Sequence, residues 1–255
     1  MTTQNETKLK TLIKSIKPGT VVLASWLEGK GISRNLLSHY LRSGWLEPVG
    51  RGAYIRTGDD VDWKGGLIAI QEQAGTDVHI GALSALTLQG FSHYFRLGKE
   101  ILFLFSPYKT RLPKWFEGYN WQTQLFHQQT SFLPKGVGIT NFSDNNLSIK
   151  ISSPERSILE CLYLSPKMLD LMECYHLMEN MVNLKPKLLQ ELLENCDSYK
   201  VNRLFLFLAE KARHQWLDFL DTSKIKLGNG NRRLTENGTY VAKYQLTIPK
   251  ELAEL

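Results

Sequence analysis

The stretch Gly31–Arg56, GISRNLLSHYLRSGWLEPVGRGAYIR, constrains the fold more than any other part of this 255-residue chain. Gly29, Lys30 and Gly31 spell a turn. Ser33 has the short oxygen-bearing side chain that caps a helix start, and Gly44 is the residue type that ends one. A helix is therefore predicted from Ser33 to about Ser43. Leu36, Leu37, Tyr40 and Leu41 give it one apolar stripe, and Arg34, Asn35, Ser38, His39 and Arg42 fall on the other side. Trp45–Glu47 reads as a strand, Pro48-Val49-Gly50-Arg51-Gly52 as a turn, and Ala53–Arg56 as the return strand. Tyr54 is expected to pack this hairpin onto the helices. Upstream, Leu9, Leu12, Ile13 and Ile16 give Thr7–Ile16 a helical spacing that Lys17-Pro18-Gly19 stops. Val21–Leu23 is a short apolar link, and Ser25 is the expected N-cap of a helix through Trp26 and Leu27. Helix, turn, helix and hairpin in this order describe a winged helix-turn-helix, which lays its second helix in the DNA major groove.

The charge distribution agrees. The chain carries 31 Lys+Arg against 25 Asp+Glu. Residues 1–56 hold nine of the basic residues and three of the acids, so the whole surplus of six lies there and residues 57–255 are neutral. Such an asymmetry points to a polyanionic partner for the N-terminal part. The second helix has no acid between Glu28 and Glu47, whereas an ordinary surface helix alternates Glu with Lys. Ser33, Arg34, Asn35, Ser38, His39 and Arg42 are side-chain types that read base edges or phosphates. Arg51, between two glycines, is placed at the tip of the wing as a phosphate or minor-groove contact. Lys30 and Arg56 complete the set of expected DNA contacts.

Thr57-Gly58-Asp59-Asp60 is a polar break, which sets two domains: a winged helix-turn-helix over residues 1–58 and a larger mixed α+β domain over 61–255. The overall class is α+β. MTTQNETKLK lacks the apolar run of a signal peptide, and no uncharged apolar stretch approaches a membrane span. Cys161, Cys174 and Cys196 form no Cys-x-x-Cys pair and are expected as buried thiols of a cytoplasmic protein.

The larger part offers elements but no reactive motif. Trp63–Ala74 and Gly81–Gly90 read as helices, Ile101–Phe105 as a strand, and Tyr119–Phe126 as further sheet. Ser153-Pro154-Glu155 opens a helix, and three more follow near Met168–Val182, Pro186–Asn195 and Lys200–Trp216. The run from Tyr240 to Ile248 alternates at period two and reads as a closing strand. His79 and His93 lack companions at a metal-ligand spacing, so no metal is expected. Asp60-Val61-Asp62 reads as a solvated linker. Phosphate-binding loops, nucleophile elbows, zinc-protease helices and dinucleotide fingerprints are all missing, which argues against an enzyme and against a cofactor. Two other classes fit the residues less well: a DNA-processing enzyme targeted by a winged helix, and a regulator with a ligand-binding C-terminal domain.

GIS…LLSHYLRSGWLEPVGRGAYIR, GALSALTLQGFSH (Gly81–His93), SPERSILECL (Ser153–Leu162) and the closing GNGNRRL…GTYVAKYQLTIP together resemble the AbiEi-type antitoxins of bacterial type IV toxin–antitoxin systems. The resemblance implies a protein that represses its own operon by binding inverted repeats in double-stranded promoter DNA. It also implies a C-terminal domain that counteracts a nucleotidyltransferase toxin, with or without a stable complex, in abortive infection against phage. For that second role the resemblance leaves Arg232, Arg233 and Lys243 as candidates, because an exposed basic patch suits RNA or an acidic toxin.

Overall fold

The computed structural model describes residues 16–91, 100–144 and 147–255. The expected helix over Thr7–Ile16, apart from its last residue, and His93 lie outside the described residues. The chain divides into two compact units, each assembled from several segments. The first takes residues up to Val78 with Lys109–Leu125 and Asn141–Ile149; the second takes His79–Tyr108, Phe126–Thr140 and Lys150–Leu255.

In the first unit β1 (Val22–Leu23), α1 (Ala24–Gly29), α2 (Arg34–Arg42), β2 (Leu46–Gly50) and β3 (Ala53–Arg56) follow one another. The strands make an antiparallel sheet in the order β1-β3-β2. Ile16, Val22, Leu27, Ile32, Leu37, Tyr40 and Leu46 form the core beneath it, with Leu36, Leu41 and Tyr54 packed against that core. This is the winged-helix arrangement, and Tyr54 packs as expected.

Two details differ from expectation. Ser25 lies inside α1 and is not its cap; the N-cap is Leu23, which has no side-chain bond to give. The wing supplies a partner instead, since Gly52 O accepts from Ala24 N at 2.9 Å. Pro48 belongs to β2, opposite Tyr54, with an irregular register between Pro48 and Gly50. An edge strand tolerates a residue with no N–H, and the irregularity absorbs its misfit to the ladder. The turn therefore shrinks to Arg51-Gly52.

Asp60-Val61-Asp62 is not a solvated linker. Val61 is buried. Asp62 caps α3 (Trp63–Ile68), accepting from the amides of Lys64 and Gly65 at 2.9 and 3.2 Å. The helix widens into a π-helical turn at Ala69–Gln73. From there Gln73 reaches β1: its Oε1 accepts from Leu23 N and its Nε2 donates to Val21 O, both at 2.8 Å. One amide side chain thus pairs an otherwise open strand edge.

The central strands of the second unit belong to a mixed sheet of β4 (His79–Ile80), β5 (Ile101–Ser106), β6 (Gln124–Gln129), β7 (Ile139–Asp144) and β8 (Leu147–Ser152), in the order β6-β5-β4-β8-β7. β4 runs antiparallel to β5 and parallel to β8. The helix Ala82–Leu88 follows β4 directly, and from here on it is α4. α5 (Pro154–Leu164), α6 (Leu171–Glu179), α7 (Pro186–Glu194) and α8 (Tyr199–Lys211) come after β8. Ser153 caps α5 with Pro154 in its first turn, as its sequence signals. α5 is buried along almost its whole length, which is why Ile158, Leu159, Cys161 and Leu162 sit in the central core.

Other expectations are corrected at their edges. Only Gln124–Gln129 of the Tyr119 region is strand; the rings of Tyr119 and Trp121 pack on each other instead, 4.5 Å apart. The helix expected over Met168–Val182 begins only after Asp170, whose carboxylate caps it at 2.8 Å from Met172 N. Met178 and Met181 fill the core while Met168 and Val182 are exposed. The closing strand is two strands, β10 (Thr239–Val241) and β11 (Leu246–Ile248), paired antiparallel with each other. Ala242–Tyr244 turn between them, and Gln245 takes a left-handed conformation. β9 (Arg232–Arg233) pairs parallel to β11. Cys161, Cys174 and Cys196 are free and buried, and burial pushes the Cys174 thiol up to about 12.

Candidate nucleic-acid interface

α2 is fixed at both ends by its own residues. Ser33 Oγ accepts from Leu36 N at 3.3 Å, satisfying one of the orphan amides at the helix start. At the other end Gly44 has φ +69°, Gly44 N donates to Leu41 O, and Trp45 N donates to Tyr40 O at 2.9 Å. That pair of bonds is a Schellman termination, and its left-handed residue favours glycine. The chain therefore leaves α2 straight into β2. Leu37 and Tyr40 point into the core; burial pushes the Tyr40 hydroxyl above its ordinary pKa, and its oxygen has no partner among the described residues.

All five polar residues assigned to the outer face of α2 are exposed: Arg34, Asn35, Ser38, His39 and Arg42. Arg42 Nε returns to Ser38 O at 3.3 Å, and Ser43 Oγ donates to His39 O at 2.7 Å. Arg34 Nε sits 2.7 Å from Glu28 Oε1, an ion pair between α1 and α2 that raises the Arg34 pKa through its hydrogen bond. Lys30 Nζ lies over the Trp26 ring, 5.4 Å from its centre. The wing tip holds Arg51, exposed, beside Gly52 at φ +77°, a turn position that favours glycine. Arg56 is engaged differently. Its Nη2 and Nε donate to the Asp59 carboxylate at 2.8 and 3.1 Å, and Asp59 also accepts from Gly19 N at 3.1 Å. Arg56 thus ties the base of the wing to the chain entering β1. The hydrogen bond from Arg56 holds the Asp59 carboxyl below the usual carboxylate range.

The C-terminal candidates also separate. Lys243 pairs with Glu210 and lies 5.3 Å from the centre of the Tyr244 ring. Arg233 donates to the carbonyls of Thr235 and Glu236. Arg232 is exposed on β9, and its guanidinium has no hydrogen bond among the described residues.

Sequence reasoning missed a constellation inside the second unit. Glu160, on α5, is fully buried. Its Oε1 accepts from Arg156 Nε at 2.9 Å and faces His79 Nε2 at 3.1 Å. Its Oε2 accepts from Ser152 Oγ at 2.8 Å and from Ala82 N at 3.0 Å. Arg156 Nη1 continues to the carbonyls of Pro134 and Val137 at 2.9 and 2.8 Å. Burial alone would push the Glu160 carboxyl up; the bond and charge of His79, the charge of Arg156 and the Ala82 amide outweigh it and hold the carboxyl below its usual range. Gly81 lies so close that a Cβ there would stand 2.2 Å from Glu160 Oε2. Glu160 therefore acts as the anionic cap of α4, whose own N-cap Gly81 offers no side chain. The one sequence signal was an acid in the apolar run Ile158-Leu159-Glu160-Cys161-Leu162, four residues after an arginine. Each of these groups has an internal partner, so His79 is a structural histidine. No cluster of three or more His, Cys, Asp or Glu suited to a metal occurs among the described residues. No helix among them is long and apolar enough to cross a membrane.

Comparison with known proteins agrees with this architecture. A family model described as transcriptional regulator, AbiEi antitoxin, type IV TA system matches residues 99–249. A second, described as the AbiEi antitoxin N-terminal domain of a transcriptional regulator, matches residues 5–97. Among solved structures, the crystal structure of the RV2827C protein from Mycobacterium tuberculosis is similar, with a TM-score of 0.62 and 14% identity, covering 97% of this chain and 92% of that one. At that identity the likeness is one of fold. No curated protein matches the chain. The winged helix, the mixed second unit and the two family matches together show that the chain belongs to the AbiEi family, transcriptional regulators and antitoxins of type IV toxin–antitoxin systems.

Proposed function

We propose that this protein represses its own operon by placing α2 in the major groove of inverted repeats in its promoter, with the wing on the flanking backbone. The observation that carries this reading is the outer face of α2: five exposed polar or basic side chains, no acid in the first turn, and both helix ends locked. In this reading Arg34, Asn35, Ser38, His39 and Arg42 meet base edges or phosphates. The capped N-terminus at Ser33 meets a phosphate, and Arg51 meets the backbone beside the groove. Lys30 and Arg56 are flanking contacts, and they weigh least because each has an internal partner, Trp26 or Asp59, to exchange for phosphate.

The functional division follows the polar break: residues 1–58 bind DNA, and residues 61–255 act against a nucleotidyltransferase toxin, with Arg232, Arg233 and Lys243 as the surface residues involved. The exposure of Arg232 and Arg233 supports this part. Titration of purified protein against its own promoter and against random DNA, over a salt series, tests the first half. Equal, weak binding to both DNAs sinks it. Co-expression with the toxin tests the second half: residues 61–255 alone should restore growth, and failure of the full chain to do so refutes it.

A further inference from the structure

Arg203, on α8, is only 1% exposed, and no carboxylate bonds to it. Its guanidinium is satisfied by main-chain carbonyls of the loop before β9. Nε donates to Leu227 O at 2.6 Å, Nη1 to Gly230 O at 2.6 Å, and Nη2 to Gly228 O at 2.9 Å. The carbonyl and the Oε1 of Gln245 accept two longer bonds, at 3.4 and 3.3 Å. A trans peptide aims its N–H opposite to its C=O. With three carbonyls turned inward onto Arg203, the amides of Gly228, Asn229 and Asn231 face outward. Those three residues are exposed, and their amides bond to nothing among the described residues.

The surroundings are cationic. Arg232 follows the loop with its guanidinium unengaged. Burial first, and then the charges of Lys167 and Arg232, push the Lys200 ammonium down to about 8. Burial and Arg232 act on Arg203 in the same direction. Lys200 spends its protons on the carbonyls of Tyr163 and Ser165, at 2.7 and 2.6 Å, so its charge too lacks a bonded anion. Two exposed tyrosines, Tyr199 and Tyr240, flank the loop. Tyr199 lies flat enough on the loop that a Cβ on Gly228 would meet its ring at 2.3 Å. The Tyr240 hydroxyl is held by Asn231 at 2.9 Å. Outward amides and the unengaged Arg232 guanidinium suit phosphate, and exposed rings suit unpaired bases.

We propose that the loop Gly228–Arg232, flanked by Tyr199 and Tyr240, binds single-stranded nucleic acid, its amides and Arg232 on the phosphates and its tyrosines under the bases. This deepens the antitoxin reading by naming what the C-terminal basic residues meet. The growth-rescue assay and a binding assay are separate measurements, so either claim can fail alone.

The experiment is fluorescence anisotropy of the full-length protein with labelled single strands of RNA and of DNA, about 12 nucleotides long to fill one binding surface, at low salt. Binding of one or both strands is expected, and the two arms identify the sugar. Arg232→Ala and Tyr240→Ala should each weaken it about tenfold, and Tyr240→Phe, which keeps the ring, should stay near wild type. Arg34→Ala should leave it unchanged. Neither Arg232 nor the outer face of the Tyr240 ring supports the core, so melting temperatures should match wild type. Three results overturn the proposal. Neither strand binds; Arg232→Ala and Tyr240→Ala bind as tightly as wild type; or polyglutamate displaces the strand as well as unlabelled oligonucleotide does, which assigns the surface to an acidic protein instead.

Discussion

The outer face of α2 and the Glu160 node use the same kinds of side chain to opposite ends. On α2, Arg34 and Arg42 are exposed, and their internal bonds are single contacts with solvent around them. At the node, one fully buried carboxylate takes four partners from β4, α4, β8 and its own helix. Exposed charge is screened and loosely held, so it stays available to a ligand. Buried charge is stable only when fully paired, and once paired it has nothing left to offer. The first region should therefore answer mutation through binding and the second through folding.

The largest effect is expected where a buried partner is removed. Glu160→Ala strands Arg156, the Ser152 hydroxyl and the Ala82 amide together, and breaking such a group costs about 3–5 kcal/mol. Urea unfolding measures it, and a loss below about 1 kcal/mol would show that the node is not a fastener. Promoter affinity per folded molecule should be unchanged. Glu160→Gln keeps the shape and tests the charge. The Glu160 carboxyl is held below its usual range, so the unfolded chain takes up the proton first as pH falls. Its contribution is complete above the unfolded pKa, about 4.3. It disappears as pH drops through the lower folded value. Wild-type stability should fall steeply in that acid window, and Glu160→Gln should flatten that part of the curve.

Arg34→Ala comes next and reads the other side of the comparison. If Arg34 meets a guanine, promoter affinity should drop about five- to a hundredfold, with little change in melting temperature. Glu28 holds the same guanidinium in the free protein. Glu28→Gln should consequently tighten promoter binding, by releasing Arg34 and removing a negative charge near the groove. Equal tightening of the complexes with promoter and with random DNA would place Arg34 on phosphate.

The two regions also differ in how far sequence discloses them. α2 was legible because every signal is local: Ser33, the stripe Leu36-Leu37-Tyr40-Leu41 and Gly44 lie within one short segment and act on one another. The node was not, because Glu160 finds His79 and Ala82 at distant positions of the chain, and nothing in ILECL says so. Likewise Arg203 reads as one of several polar residues on α8, while its nearest partners are main-chain carbonyls that have no sequence signature. The strand Tyr240–Ile248 failed for a third reason. Its period-two alternation is real, but the turn at Ala242–Gln245 carries no Gly or Pro to announce it, and Gln245 bears the left-handed conformation itself.

Ser33→Ala sharpens the comparison by touching both properties at once. Removing an N-cap hydroxyl costs about 1 kcal/mol of stability. If the start of α2 also meets a phosphate, promoter affinity should fall as well. Ser33→Asp separates the two effects, because it restores the cap but sets a negative charge against the DNA backbone. Stability recovered without affinity is the expected pattern, read from urea unfolding and promoter titration on the same preparations. Recovery of both would remove phosphate contact from the helix start.

The smallest effect, and the cleanest, belongs to Arg51. It sits at an exposed two-residue turn, and no hydrogen bond ties its side chain among the described residues, so Arg51→Ala should leave folding alone. Each phosphate contact releases counterions, and the slope of log K against log salt counts them. Losing one contact should reduce that slope by about one. The loss should be the same for the promoter and for random DNA, because a phosphate contact carries no sequence information. Arg56→Ala is the control within the same hairpin. Arg56 is tied to Asp59 and, through it, to Gly19. Its loss should lower the melting temperature and, because it is a flanking contact that must first leave Asp59, reduce the slope by less than Arg51→Ala does. If the slope instead falls for Arg56→Ala and holds for Arg51→Ala, the wing meets DNA at its base, and the division between exposed charge for binding and paired charge for folding breaks down inside the winged helix itself.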